Sequence, residues 1–308
     1  MRTKQTLAIT GATGFVGGHL LNLAVRAGFP VRALTRRTQD DRPNVTWVRG
    51  ALDNSASLTE LCDGAEVVIH IAGVVNAPNR AAFEAGNVNG TLALVEAAKA
   101  AGCKRFIHVS SLAATLPKLS IYGDSKAKAE KIVAASGLDW TIIRPPWVFG
   151  PGDADTLDMF KSAKTGFIPL PPNADGLLSA IHVDDLSRAL MTLIPEHEEL
   201  TAQIFEVDDG KIGGWTQTSF AKAIGWAVGK RIKPVATPKF ILKFGAKADR
   251  LFRRDKAKLT ADRVNYFCHD DWTIDPAKRL PADLWMPHID TRQGLKDTAQ
   301  WYRQNDWL

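Results

Sequence analysis

Tyr122 and Lys126 stand four residues apart in the run Tyr122-Gly-Asp-Ser-Lys126. If the segment is helical, a phenol and an ammonium share one face of it. A free phenol, with a pKa near ~10, is a poor base at neutral pH, and a neighbouring ammonium favours its ionised form. The pair is therefore suited to passing a proton to or from a reacting oxygen. Upstream, Phe106-Ile-His-Val109 reads as a strand ending in Ser110-Ser111. A hydroxyl at the carboxyl end of a central strand lies where such sheets bind ligands, and it could hold that oxygen.

A second run answers to different chemistry. Thr10-Gly11-Ala12-Thr13-Gly14-Phe15-Val16-Gly17 follows the apolar run Leu7–Thr10 and opens a segment of helical spacing. Gly11 permits a tight turn, Gly14 lets backbone approach a pyrophosphate, and Gly17 allows helix to pack closely on strand. The start of the helix offers unpaired N–H groups and the positive end of its dipole to the anion. A bound dinucleotide is the expectation, with Lys126 available to its ribose hydroxyls. Enzymes that take NAD usually place Asp or Glu at the end of the second strand. Here Thr35-Arg36-Arg37 stands there, and a guanidinium fork suits a 2′-phosphate. NADP(H) is favoured over NAD(H).

These residues need a scaffold, and the first half of the chain supplies one. Strand-like runs at Leu7–Thr10, Val31–Leu34, Val45–Val48, Glu66–Ala72, Arg105–Val109 and Trp140–Ile143 alternate with helical segments at 17–27, 57–61, 89–101 and 122–135. Alternation without tight hairpins predicts βαβ units, hence an α/β fold with a doubly wound parallel sheet (Rossmann). Past residue 150, Pro151, Gly152, Pro169, Pro171 and Pro172 break the pattern, and helix returns at Ile181–Leu193 and strand at Ile204–Val207. The expected division is a dinucleotide-binding domain over 1–150, with 180–210 returning to it, and a smaller, mainly C-terminal substrate-binding lobe over 151–308. Seven of the nine tryptophans lie beyond residue 145, which aromatic packing or a substrate pocket would explain.

Composition sets outer bounds. The 308 residues, 45% hydrophobic and 23% charged, are those of an ordinary globular protein. No apolar run reaches the length of a membrane span, and MRTKQTLAIT lacks the marks of a secretory signal. A cytoplasmic location is expected. Cys62, Cys103 and Cys268 are odd in number and far apart, so buried free thiols are expected; no Cys/His spacing implies a metal. The net charge of +6 is mostly dispersed, which argues against nucleic acid. Its densest patch, Arg250 to Lys258, reads as a solvated helix face or as a patch for a membrane surface or an anionic substrate.

Taken together the chain resembles the extended short-chain dehydrogenase/reductase family, also called the NAD-dependent epimerase/dehydratase family. The likeness spans nearly the full length. It rests on Thr10–Gly17, Val68-Ile-His-Ile-Ala-Gly73, Asn87-Val-Asn89-Gly-Thr91, Val109-Ser-Ser111, Tyr122–Lys126, Arg144-Pro-Pro-Trp-Val-Phe-Gly-Pro-Gly152 and Ile181-His-Val-Asp-Asp185. The resemblance implies Ser111, Tyr122 and Lys126 as catalytic residues, with Ser110 as the fallback for Ser111. It implies a cofactor site of Gly11, Thr13, Gly14, Phe15, Val16, Gly17, Arg36, Arg37, Leu52, Ala72, Gly73, Tyr122, Lys126 and Pro145. It also assigns Asn89 to bracing the central strands and His182-Val-Asp184-Asp185 to ordering the join between lobes. His70 and His108 read as satisfied core histidines.

The departures matter as much. Nucleotide-sugar epimerases and dehydratases carry an asparagine where Trp147 stands, and an indole cannot accept a hydrogen bond as a carboxamide does. Gly50-Ala51-Leu52 replaces an aspartate common near the adenine, and the interval from Ser111 to Tyr122 is short. The look is closer to the hydroxysteroid-dehydrogenase-like and dihydroflavonol-reductase-like branches. The expected activity is an NADP(H)-dependent oxidoreductase acting on a carbonyl or secondary alcohol of a mid-sized, fairly apolar small molecule. A nucleotide-sugar epimerase or dehydratase with bound NAD, and a non-catalytic dinucleotide-binding subunit, are the alternatives. A homodimer is the default assembly.

Overall fold

The computed structural model describes residues 4–254, 257 and 259–308. Lys256 and Lys258, two of the cations of the basic run, therefore lie outside the described residues.

The apolar runs form one sheet. Its strands β1 (Leu7–Thr10), β2 (Val31–Thr35), β3 (Val45–Arg49), β4 (Val67–His70), β5 (Arg105–Val109) and β6 (Asp139–Arg144), with a seventh at Gln203–Glu206, are ordered 203–206, β6, β5, β4, β1, β2, β3. The pairings of β1 to β6 are all parallel. Strands β1, β4 and β5 are buried along their whole length, as the near-continuous apolar runs require when helices cover both faces. Chain order reverses between β1 and β4, and the carboxyl ends of that strand pair are where doubly wound sheets take ligands.

The described residues divide into two compact units: 4–144 with Ser187–Phe205 and Leu280–Trp285, and Pro145–Leu186 with Glu206–Arg279 and Met286–Leu308. In the first, Ala8, Val48, Leu58, Leu61, Val68, Leu94, Phe106 and Ile142 belong to one core cluster. Arg105 sits inside this unit with its side chain fully buried. Its guanidinium donates to Leu193 O at 2.5 Å, Asp139 Oδ1 at 2.8 Å and Thr141 Oγ1 at 2.7 Å. Arg105→Met keeps the bulk but strands those acceptors, so it should cost about 3 kcal/mol in urea unfolding. A loss below ~1 kcal/mol would mean that the network is not stabilising the junction of β5 and β6.

In the second unit Trp147–Phe149 pairs in parallel with Ala180–His182. The helix expected from Ile181 therefore begins later, at Val183, and runs to Thr192. Pairing with a strand that carries little periodicity of its own overrides the helical spacing of Ile181 and His182. Phe149, Phe220, Trp147, Trp215 and Phe267 pack ring against ring within this unit. Asp185 Oδ2 accepts from His288 N at 3.1 Å and Ile289 N at 3.0 Å, anchoring the chain before the last helix. Cys62 and Cys103 are buried free thiols, whereas Cys268 is half-buried. Among the described residues no helix is long and apolar enough to cross a membrane.

Candidate active site

The first helix, α1 (Phe15–Arg26), starts at the tip of β1 with Gly14 as its N-cap, and no side chain caps it. Its first N–H groups are therefore open to an external acceptor. Gly11 has φ +78°, and a Cβ there would lie 2.7 Å from Ala72 N. A Cβ on Gly17 would fall 2.0 Å from Gly11 O, so only a hydrogen lets the helix close on the loop. Thr13 and Gly14 are exposed, and Phe15 and Val16 half-buried. Thr10 Oγ1 accepts from Ala72 N at 3.2 Å, tying the loop after β1 to Ala72 beyond β4. These features fit a pyrophosphate at the reversal of strand order.

The flanking candidates fall around this loop unevenly. Thr35 Oγ1 accepts from Arg37 N at 3.2 Å and donates to Arg37 O at 2.7 Å, folding the end of β2 into a turn. That turn leaves Arg36 and Arg37 exposed, and among the described residues neither guanidinium has a hydrogen-bond or ion-pair partner. Leu52, half-buried, packs where Gly90 has no side chain: a Cβ on Gly90 would lie 2.9 Å from Leu52 Cβ. Gly73 is exposed. Pro145 opens the second unit and is not among the residues that the first unit brings together.

Tyr122 and Lys126 lie on the helix Ile121–Ala134, capped by Ser120, whose side chain accepts from Gly123 N. Lys126 is buried and donates from Nζ to Val109 O at 2.8 Å. Burial brings its ammonium down to about 8, with Glu130 opposing. A Cβ on Gly73 would lie 3.8 Å from this Nζ, so the lysine reaches the edge of the loop after β4. Tyr122, half-buried, sets its ring 6.2 Å from that of Phe83. Ser111 caps the short turn Leu112–Thr115, its Oγ accepting from Ala113 N at 3.2 Å and keeping its own proton to give. Ser110 instead donates to Glu130 Oε1 at 2.5 Å, which occupies it.

Two residues of this neighbourhood escaped sequence reasoning. Glu130, buried one helical turn beyond Lys126, accepts from Arg144 Nε at 2.8 Å and Nη2 at 2.7 Å as well as from Ser110. The i, i+4 spacing of Lys126 and Glu130 was the signal that could have found it. Asn87 does the bracing expected of Asn89: it donates to Val74 O and Ser125 Oγ, both at 2.9 Å, and accepts from Val74 N at 2.6 Å. Asn89 is exposed. Asn87 lies four residues before the buried Thr91 and so shares its inward face, within a π-helical turn over Glu84–Asn89.

The two histidines part company. His70 lies between Thr10 Oγ1 at 2.7 Å and Thr91 Oγ1 at 2.9 Å. Thr91 already gives its proton to Asn87 O, so His70 donates from Nε2 to Thr91 and accepts from Thr10 at Nδ1. Burial holds its imidazole down to about 3, hence neutral. His108 is equally buried, but neither ring nitrogen has a hydrogen-bond partner, contrary to expectation. Burial, then the charge of Lys126, push its pKa well below the ordinary value. The imidazole lies against that of His70, ring centroids 5.1 Å apart, and stays neutral.

Trp147 donates from Nε1 to Thr156 Oγ1 at 2.9 Å, and its ring packs on Phe220 and Phe267. The indole is thereby fixed within the second unit and presents no acceptor.

Comparison with known proteins gives the family and the fold. The model of a family described as NAD(P)H-binding matches residues 11–166. The ceramide reductase of Caulobacter vibrioides is 33% identical over 99% of this chain and 96% of its own. The UDP-glucose 4-epimerase of Vibrio cholerae is 25% identical over 98% of this chain and 97% of its own. Among solved structures, MoeE5 in complex with UDP-glucuronic acid and NAD shares the fold, with TM-score 0.76, 22% identity, and 98% of this chain and 99% of that chain covered.

Proposed function

The chain belongs to the extended short-chain dehydrogenase/reductase family of NAD(P)-dependent enzymes, and we propose that within it this protein is an NADP(H)-dependent reductase of an apolar, lipid-like carbonyl compound. The observation that carries the reading is the buried Lys126 ammonium, held against Val109 O beside Gly73. It brings a cation to the end of the sheet where the glycine loop and Ser111 also lie. A bound dinucleotide supplies the hydride. Ser111 donates to the substrate oxygen and orients it. As the carbon accepts hydride, Tyr122 gives its phenolic proton to that oxygen, which stays on the carbon as the hydroxyl of the alcohol product. Lys126 stabilises the phenolate left behind until solvent returns the proton.

Three further points support the reductase over the nucleotide-sugar alternative. Arg36 and Arg37 offer unpaired guanidiniums at the end of β2, suited to a 2′-phosphate. Trp147 replaces a carboxamide acceptor with a ring whose N–H is already engaged. The relative named a ceramide reductase spans the whole chain at higher identity than the epimerase.

Isothermal titration with NADPH and NADH tests cofactor choice. Arg36→Ala should weaken NADPH at least about tenfold, as expected for a lost charge-assisted hydrogen bond, and leave NADH unchanged. Equal losses for both cofactors, or none, would remove the 2′-phosphate reading.

A further inference from the structure

The helix Lys239–Arg253 (KFILKFGAKADRLFR) is turned with its apolar stripe outward. Phe240 is 72% exposed, Phe244 74%, Leu251 76% and Phe252 84%, and Ile241 is exposed as well. At 100° per residue, Phe240, Phe244 and Leu251 fall in one row, and Ile241, Ala248 and Phe252 in the row beside it. The face turned inward is a different one. Ala246 is buried, Leu242 and Gly245 are half-buried, and Asp249 Oδ2 accepts from Leu259 N at 2.8 Å. Protein therefore covers the small residues of this helix and leaves its phenylalanines in water. At about 200 Å² for a large side chain, Phe240, Phe244, Leu251 and Phe252 together present roughly 600 Å², the upper end of what a monomer leaves uncovered.

What borders the stripe says what covers it. Lys239, Lys243 and Lys247 follow one another at four-residue steps along the edge of the apolar rows, and all three are exposed. A stripe of Phe and Leu with a row of lysines alongside matches a helix lying in the plane of a bilayer surface. The rings enter the acyl boundary, and the ammonium groups meet anionic headgroups. We propose that this helix docks the protein on membranes rich in anionic phospholipid, with Phe240, Phe244, Leu251 and Phe252 as the inserted side chains. The inference is independent of the reading of the active site.

Sedimentation of the full-length chain with vesicles tests it, using phosphatidylcholine alone and phosphatidylcholine mixed with phosphatidylglycerol. The protein should bind the anionic vesicles and release as salt rises. Lys239→Gln, Lys243→Gln and Lys247→Gln together should weaken that binding about 100-fold, roughly fivefold for each lysine. Phe240→Ser, Phe244→Ser and Phe252→Ser together should abolish it while circular dichroism and NADPH affinity stay as in the wild type. Three results would overturn the proposal: no binding to anionic vesicles, binding unchanged by either triple substitution, or a wild-type dimer that the serine variant splits. The last would give the face to a second copy of the chain.

Discussion

Tyr122→Phe should lose at least about 1,000-fold in kcat with an apolar ketone, while its affinity for NADPH changes less than about threefold, since a positioned general acid contributes on the order of 10²–10⁴. The substitution removes one oxygen and keeps the ring, whose neighbour Phe83 is apolar and buried. Binding and folding should therefore survive, and only proton delivery should fail. Lys126 adds a pH signature. Because burial brings its ammonium down to about 8, from the 10.5 of a free lysine, the charge is present at lower pH and lost as pH rises through about 8. Reduction should therefore fall along an alkaline limb near that value, through loss of the cation that stabilises the phenolate. Stopped-flow measurement of NADPH oxidation across pH checks both. Retention of more than a tenth of wild-type kcat in Tyr122→Phe would move the acid elsewhere.

Gly17→Ala should abolish NADPH binding, with at least about a 100-fold rise in Kd, and should destabilise the fold by ~3 kcal/mol, the upper end of ordinary overpacking. A methyl group there would stand 2.0 Å from Gly11 O, 2.6 Å from Gly11 C and 3.0 Å from Ala12 Cα. All three are backbone atoms, so no side chain can swing aside. The loop must open, and opening it removes the cradle for the pyrophosphate. The adjacent Gly18 is the control. Its Cβ would find only Ala12 O, at 3.8 Å, an ordinary contact, so Gly18→Ala should bind and melt as the wild type does. Calorimetric titration and thermal unfolding of the two variants measure the contrast. Equal behaviour would mean that the close packing of α1 on the loop is not what shapes the site.

The central sheet was legible because strands buried on both faces need long apolar runs, and βαβ order follows from their alternation with helical segments. The glycine loop was legible because its residues are fixed by local sterics: Gly11 by its φ of +78° and Gly17 by its distance to Gly11 O. What lay hidden depends on partners distant in sequence. Ile181 and His182 carry a helical period, and only pairing with Val148 and Phe149 makes them a strand. Asn87 and Asn89 are the same residue type two positions apart, and only the partners Val74 and Ser125 tell which of them is held inside. His108 resembles His70 in its setting along the strand, but no hydroxyl comes to meet it. The helix Lys239–Arg253 has an apolar face of the kind that usually packs on a core, and only the folded chain shows that face turned outward.

The reaction itself tests the account most directly. NADPH carrying deuterium at both C4 positions of the nicotinamide would be incubated with the protein and a long-chain ketone, and the product analysed by mass spectrometry. An alcohol one deuterium heavier at the carbinol carbon is expected, with NADPH consumed in equal amount, and neither with Tyr122→Phe. Protein that arrives with NAD already bound, interconverts a nucleotide sugar and consumes no added NADPH would contradict it and make the chain an epimerase.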